Sequence, residues 1–597
     1  MELLNLDGVI EKGVFEIPSY QRGYAWQIRQ LKDFWNDLEH VSKLGDKFHY
    51  MHSLTLRGLE NELEDSSFEI IDGQQRLATS LILLGLLAKI TKHKDPKYSS
   101  MNLEPVLSYK YYGLSEAFRA IMEEEKDLER FQTSFYAKNL IDAHAFFKEK
   151  ISDTPMETLE KMFDALIKKM LFSVVELNDN RIDPFSSFET INNRGKDLST
   201  LELFKNRLHF VAHKICNEED LENLQNEIND TYTRIYHNLR FFEDTHLGDF
   251  LKYFVAYYYG EKRDFKERLL NTAFDAHKKY DDLYDEYEKI NDLLLYLSYS
   301  SKVWYFLHTL DDEELRIEIT PKMHGLLDKM RRLNALSTNA FLPLLLSLLT
   351  IQLAVRSGSE RHYTTKELEG LLEYLERFGF LIYGVAGKNT AKNEWIELAF
   401  EAFRAFRYGE ENTAIKDLPT LEKSFFNRQG NSALELLEES IHSKKNTERW
   451  YRWGKALNYL LYEYELYHNP ETTLNFDSSL ESIEHILPQK PDQGYSAKEK
   501  NWAKNPNIVH ALGNLLLIPK NANSSLSNKP FDEKRKEYLK GSYSEKEVAK
   551  NASFGVEQIK ERSEKLLDFL IMRYRIAELV GEDAIKAFKN ALLKEIR

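Results

Sequence analysis

From about Leu201 to His468 the chain has almost no run with the two-residue alternation of a half-buried strand; apolar residues, many of them Phe, Tyr and Leu, recur instead every three or four positions. That spacing lines one face of a helix and leaves the opposite face to water, so this stretch can fold only as packed amphipathic helices. Ser199-Thr-Leu-Glu202 has the capping-box spacing that opens the first of them. The aromatic residues follow the same period and are read as core rather than as a platform for stacking bases.

The first 215 or so residues have a different pattern. Phe48 to Leu56, Phe68 to Ile71 and Leu171 to Leu177 read as strands, and Ile28 to Val41 as an amphipathic helix. This is an α+β or α/β unit. After His468 the polar segment NPETTLNFDSSLES carries turn formers without a helical period and reads as a linker. A compact module then runs to about Ser542, and charged helices complete the chain. The expected organisation is therefore an α/β domain over 1–215, a helical middle domain over 216–468 and a C-terminal domain over 469–597. The expected fold class is α+β, predominantly helical.

With 597 residues, 42% of them hydrophobic, the chain can bury several cores. Its 81 basic against 96 acidic side chains give a formal charge of -15, so any contact with a polyanion has to come from a local basic surface. A single cysteine, Cys216, excludes an intrachain disulfide and a cysteine-based zinc site. The most apolar windows, Leu77 to Ile90 and Phe341 to Val355, are shorter than the roughly 20 residues a spanning helix needs. They are expected as core helices. The N-terminus MELLNLDGVI has no basic segment followed by an apolar one, so no signal peptide is expected and the protein is read as soluble and cytoplasmic.

Two constellations carry chemistry. Ser482-Ile-Glu-His-Ile-Leu-Pro488 reads as a strand ending at a proline, and Leu512-Gly-Asn-Leu-Leu-Leu-Ile-Pro519 as a second strand entered through Gly513-Asn514. Lys520-Asn-Ala-Asn523 follows, leading to a helix near Phe531 to Tyr538. Phosphodiester hydrolysis needs a base for water, an offset for developing negative charge and a group that orients the base. His485 is the candidate base and Asn514 its orienting group. Glu484 and Asn523 offer oxygen ligands of the hard type that suits magnesium or manganese. The pattern Glu-His-Ile-x-Pro, Leu-Gly-Asn-Leu and an Asn nine residues on resembles the ββα-metal HNH fold, in particular the C-terminal nuclease domain of GmrSD-type, modification-dependent restriction enzymes. The resemblance implies His485 as general base, Asn514 as the central Asn, and Glu484 with Asn523 as metal ligands. His510 and Lys534 match further polar positions of this subfamily. The chain departs from common HNH sites in having Glu at 484, where Asp is frequent, and Asn at 523, where His is frequent.

At the other end, Ile17-Pro-Ser-Tyr-Gln-Arg-Gly-Tyr-Ala-Trp26 sets Tyr20, Gln21 and Arg22 among aromatics, and Ile70-Ile-Asp-Gly-Gln-Gln-Arg76 ends a strand and enters a helix. A turn through Gly73 lets backbone N–H groups and the helix dipole face an anion, and Arg76 adds a fork of donors. There is no Lys-Ser/Thr of a P-loop. These segments, with Phe188-Glu-Thr-Ile-Asn-Asn-Arg-Gly195, resemble the ParB/sulfiredoxin-like N-terminal domain of the same enzymes. The resemblance implies a nucleoside triphosphate site: Asp72 on metal or water, Gly73, Gln74, Gln75 and Arg76 at phosphates, with Tyr20, Gln21, Arg22, Asn193 and Arg194 in support.

Glu448-Arg-Trp-Tyr-Arg-Trp453 mixes cations and aromatics and is read as a helix packing Trp and Tyr on the nuclease module, in preference to a phosphate-tracking element. Lys498, Lys500, Lys504, Lys520, Lys529, Lys534, Arg535 and Lys536 supply local positive charge. The resemblance, in the order of a fused two-component enzyme with BrxU-like, BREX-associated relatives, implies a nucleotide-regulated HNH endonuclease of anti-phage defence. Its expected partners are modified DNA, a nucleoside triphosphate and a divalent ion (magnesium or manganese, with nickel a third candidate). A homodimer is expected, since one site cuts one strand. A nucleotide-gated toxin acting on RNA or plain DNA, and a non-catalytic sensor, remain open as other classes.

Overall fold

Helical periodicity governs most of the chain, and the computed structural model is accordingly mostly helical. It describes residues 2–597 apart from 60–66, 92–105, 111–112, 178–198, 241, 243, 276–277, 281, 312–314, 316–318, 338, 356–362, 411–432, 443–447, 475, 477–479 and 492. Two compact units are present, Met1–Leu315 and Arg316–Arg597. The helical stretch expected over 216–468 is thus divided between them.

In the first unit a mixed sheet is built from β1 (Glu2–Asn5), β2 (Val14–Ile17), β3 (His49–Gly58), β4 (Ser67–Asp72), β5 (Leu107–Tyr109) and β6 (Met170–Glu176), in the order β1-β6-β3-β4-β2-β5. β3 runs antiparallel to β4 and parallel to β6. Of the six, β3, β4 and β6 coincide with the expected strands. The helix Gln74–Thr91 is buried on nearly every side, with Leu77, Leu81 and Leu83 at 0% exposure. Such a helix is the centre of a core, where each fully buried leucine contributes roughly 1.5–3 kcal/mol. It packs on the helices Phe135–Ser152 and Met156–Lys168. Among the described residues no helix is long and apolar enough to cross a membrane.

β4 meets this helix through Gly73, whose φ is +101°. A Cβ there would stand 2.9 Å from the Ser53 carbonyl, so the turn requires glycine. The capping box expected at Ser199 is formed: Glu202 N donates to Ser199 Oγ (3.3 Å) and Ser199 N to Glu202 Oε2 (2.6 Å), opening the helix Thr200–Ile215.

In the second unit the apolar window forms the buried helix Leu342–Val355. The same unit holds a charged cluster: Glu463, 2% exposed, accepts from Lys329 (2.8 Å), Arg332 (3.3 Å) and Arg573 (3.2 Å). β7 (Glu481–His485) pairs antiparallel with β8 (Leu515–Pro519), placing His485 opposite Leu515 and Glu484 opposite Leu516. Residues 512–514, expected as the start of the second strand, form a 3-10 turn, and the strand begins at Leu515. The reason is a close approach: Gly513 lies so near the helix Val556–Arg573 that an added Cβ would be 2.0 Å from the Ile559 carbonyl. Gly513 N donates to Ser563 Oγ (2.9 Å), and buried Arg562 donates to the Gly513 and Leu515 carbonyls at 2.9 and 2.7 Å. These bonds fasten the hairpin to the helix.

Candidate functional site

The end of β7 brings Glu484 and His485 to opposite faces, as neighbouring strand residues must lie. On one face His485 Nε2 is 3.1 Å from His510 Nδ1, and the Gln489 amide nitrogen is 3.3 Å from His485 Nδ1. The Tyr451 ring covers both imidazoles, with centroids 4.8 Å from His485 and 5.7 Å from His510. Burial, with the positive charge of His510 and Lys534 adding to it, pushes His485 down to about 3. His510 is lowered by burial too, opposed by Glu448. Both rings are therefore neutral near pH 7, the state in which an imidazole can take a proton.

Asn514 holds this pair together. Fully buried, its Oδ1 accepts from Leu487 N (2.8 Å) while its Nδ2 donates to the carbonyls of Leu487 (2.9 Å) and Val509 (2.8 Å). Leu487 lies two residues past His485 and Val509 one before His510, so a single amide sets the spacing of the two histidine-bearing segments. Asn514 acts through the backbone; its carbonyl accepts from Ile486 N at 3.0 Å.

On the other face Lys534 Nζ donates to Glu484 Oε1 and to the carbonyls of His485 (3.0 Å) and Ile486 (3.3 Å), and Tyr538 donates to the same Oε1 (3.1 Å). Lys534 has 0% exposure and Glu484 4%, and burial pushes the ammonium below the ordinary lysine range against the pull of the carboxylate. Asn523 lies in the short helix Lys520–Leu526, and its Nδ2 donates to Ser482 Oγ (2.8 Å) and the Ile483 carbonyl (3.1 Å). A divalent cation at Glu484 would stand against the Lys534 ammonium. Among the described residues no group of three or more His, Cys, Asp or Glu could hold a metal. Here the Glu484 carboxylate is paired with Lys534 and Tyr538, and the Asn523 amide nitrogen with Ser482 and the Ile483 carbonyl.

Lys534 is also not part of the positive surface expected around the module, and half-buried Arg535 is spent on the Ala549 carbonyl (2.8 Å). Lys498, Lys500, Lys504, Lys520, Lys529 and Lys536 are exposed. The Arg449–Trp453 segment is a 3-10 turn that buries Trp450 and Trp453. Tyr451, from the segment read as packing Trp and Tyr on the nuclease module, belongs to the histidine site, as does Gln489, which the sequence does not pick out. The one signal for Gln489 is its place directly after Pro488.

In the first unit the two expected segments do meet. Gln21 Nε2 donates to the Ile70 and Ile71 carbonyls, the latter at 3.1 Å; Gln74 Nε2 donates to the Arg22 carbonyl (3.0 Å) and Gln75 Nε2 to the Gly23 carbonyl (3.0 Å). Ala25 N donates to Gln75 Oε1 (2.8 Å). The amide N–H groups of Gln74 and Gln75, expected at phosphates, are thus committed to lacing the 22–25 loop to the helix start. Gln21 Oε1 and Gln74 Oε1 are buried acceptors with no donor among the described residues. Asp72 accepts from Arg76 (3.1 Å) and Ser53 (3.1 Å), and Arg76 also donates to the Ser53 carbonyl. Arg22 is buried, and Tyr20 packs on Ile71. Asn193 and Arg194 lie outside the described residues.

Behind Tyr20, Lys205 is 1% exposed and donates to the Ser19 carbonyl; burial holds its ammonium well below the ordinary range. The His209 ring stands edge-on to Tyr20 at 6.5 Å. Lys205 could have been found from the sequence, since it occupies the apolar stripe of Leu201, Phe204 and Leu208.

No curated protein matches the chain. Residues 3–209 match the family model of the GmrSD restriction endonuclease N-terminal domain, and residues 437–569 that of the GmrSD restriction endonucleases C-terminal domain. The first match contains the laced loop and Lys205, the second the hairpin with both histidines, and together they span more than half of the chain. It follows that the chain belongs to the GmrSD restriction endonuclease family.

Proposed function

We propose that the chain is a DNA endonuclease in which His485 takes the proton from an attacking water, within a ββα HNH-type module, and that the laced pocket of a ParB/sulfiredoxin-like domain binds a nucleoside triphosphate that regulates cleavage. The observation that carries this reading is the neutral His485–His510 pair, held at 3.1 Å across a hairpin by the Asn514 amide. An imidazole pair on a rigid scaffold is placed for proton removal, and a phosphate anion at the site would raise the basicity that burial lowers. Exposed lysines around the hairpin supply phosphate contacts that an acidic chain otherwise lacks. For the nucleotide, the buried Gln21 and Gln74 oxygens suit N–H or O–H donors of a base or sugar, not phosphate oxygens, which are acceptors.

Modified phage DNA is the proposed substrate, in the manner of type IV restriction. The test is cleavage of matched unmodified, methylated, glucosylated and phosphorothioate DNA, with and without nucleoside triphosphate, in magnesium, manganese, nickel or chelator. Selective cleavage of one modified duplex, changed by nucleotide and lost in His485→Ala, is the expected result. Cleavage that survives His485→Ala overturns the base assignment. Equal cleavage of all four duplexes overturns the modified-DNA reading.

A further inference from the structure

The 3-10 turn Arg449–Trp453 buries two tryptophans and also carries Tyr451 over both imidazoles. Arg449, which opens the turn, has a φ of +48°, a left-handed conformation that is strained for a residue with a Cβ. Strain of this kind persists where side-chain contacts outweigh it. Those of Arg449 are specific: the buried guanidinium donates through Nη1 to Asn507 Oδ1 and through Nη2 to Glu595 Oε2 (2.5 Å). The two bonds join three segments. Asn507 lies in the short helix Pro506–Val509, three residues before His510. Glu595 ends the C-terminal helix Glu582–Glu595, past residue 569, where the family match stops. Leu592, Leu593 and Ile596, beside Glu595, line one crevice with Trp450 and Asn507, so apolar contact seats the helix end against the turn. A planar guanidinium can serve two acceptors on different elements at fixed angles, which a lysine ammonium does less well.

We propose that Arg449 is a positioning residue for the imidazole pair: held by Glu595 of the C-terminal helix, it sets Tyr451 on His485 and His510, and the aromatic ring fixes the orientation in which His485 meets the attacking water. Asn514 sets the spacing of the two backbone segments and leaves the rings free to turn about their side-chain bonds. The contacts that His485 makes through its nitrogens, to His510 and Gln489, use the same atoms that must exchange a proton. Packing by Tyr451 is made through carbon and occupies neither ring nitrogen, so it can hold the imidazole before and after proton transfer. A base misplaced by about 1 Å can lose on the order of 100-fold in rate, which is the scale on which such packing acts. The inference rests on His485 being the base.

The test is a double-mutant cycle in the full chain. For each variant, kcat and KM are measured well below its melting temperature on whichever of the four duplexes the wild type cleaves fastest. The histidine ring signals of ¹³C-histidine-labelled protein are recorded beside them, those of His485 and His510 identified by their loss in His485→Ala and His510→Ala. Tyr451→Leu is expected to lower kcat about 10-fold and to move both ring signals, since the ring current of Tyr451 is gone. Glu595, bonded to Arg449 and 3.7 Å from His442, reaches the pair only through the clamp. Glu595→Ala is expected to lower kcat about 10-fold with KM unchanged and to move the same two signals, and Glu595→Gln, which keeps an oxygen acceptor for Arg449, to recover most of both. In the Tyr451→Leu background Glu595→Ala is expected to add nothing. A Glu595→Ala variant that melts lower but keeps the wild-type kcat and ring signals overturns the inference, as does a loss that adds in full to that of Tyr451→Leu. Cleavage persisting in His485→Ala overturns the base assignment instead, while the ring signals still report whether Glu595 holds Tyr451 on the pair, so the two failures are told apart.

Discussion

Lys534 is the side chain on which the hairpin end depends. Its ammonium has three acceptors, one carboxylate and two carbonyls, and no exposed surface. Removing a buried cation leaves its partner charged and desolvated, a loss of about 3–5 kcal/mol, whereas replacing both partners by apolar groups can be nearly neutral. Lys534→Met is therefore expected to destabilise the second unit by roughly 3 kcal/mol and Glu484→Leu/Lys534→Met by much less, checked by urea denaturation followed through tryptophan fluorescence. If the single and double variants unfold at the same urea concentration, the pair is not coupled. Read as residues alone, Glu484 and Asn523 are oxygen donors and look like metal ligands. Only the fold reveals that a lysine 50 positions away takes the carboxylate.

At the scale of elements, the sequence was most legible where a pattern is local. The periods of β3, β4 and β6, the Ser199 capping box and the helix Phe531–Tyr538 were all read from neighbouring residues. β1, β2 and β5, of three or four residues each, are too short to carry a period and exist through their partners. Gly513 illustrates the same limit: it reads as a strand entrance, but its role is contact with a helix some 50 residues on. Gly513→Ala must displace that helix, and it is expected to cost about 2–3 kcal/mol and to abolish cleavage, measured by denaturation and by plasmid nicking. The Glu463 cluster gives an element-level pH effect. Its three cationic partners offset burial and hold the carboxyl below its ordinary 4.5, so the stability it adds is present above that pH and is lost as pH falls through the lower folded value. Glu463→Gln should therefore be less stable than wild type at pH 7 and lose less on acidification below about 4.5, read from melting temperatures at pH 3 to 7. Parallel curves would remove Glu463 from the acid response.

For the whole molecule, a charge of -15 and a DNA substrate call for a local basic surface, and the exposed lysines of the hairpin module offer one. Each phosphate contact releases counterions, steepening the fall of affinity with salt by about 0.9 per contact on logarithmic axes. Replacing Lys500, Lys504 and Lys520 by Ala is expected to make that slope shallower by about one to three, measured by fluorescence anisotropy on labelled duplex across a salt series. An unchanged slope would place the DNA contact elsewhere.

Among the described residues two lysines are sequestered, Lys205 in the first unit and Lys534 in the second, with a practical consequence. An amine-acylating reagent reaches exposed lysines at once but meets these two only when the surrounding structure opens. Peptide mass spectrometry of a timed acylation would then give two clocks, one for each unit, and show whether added nucleotide or duplex slows either of them.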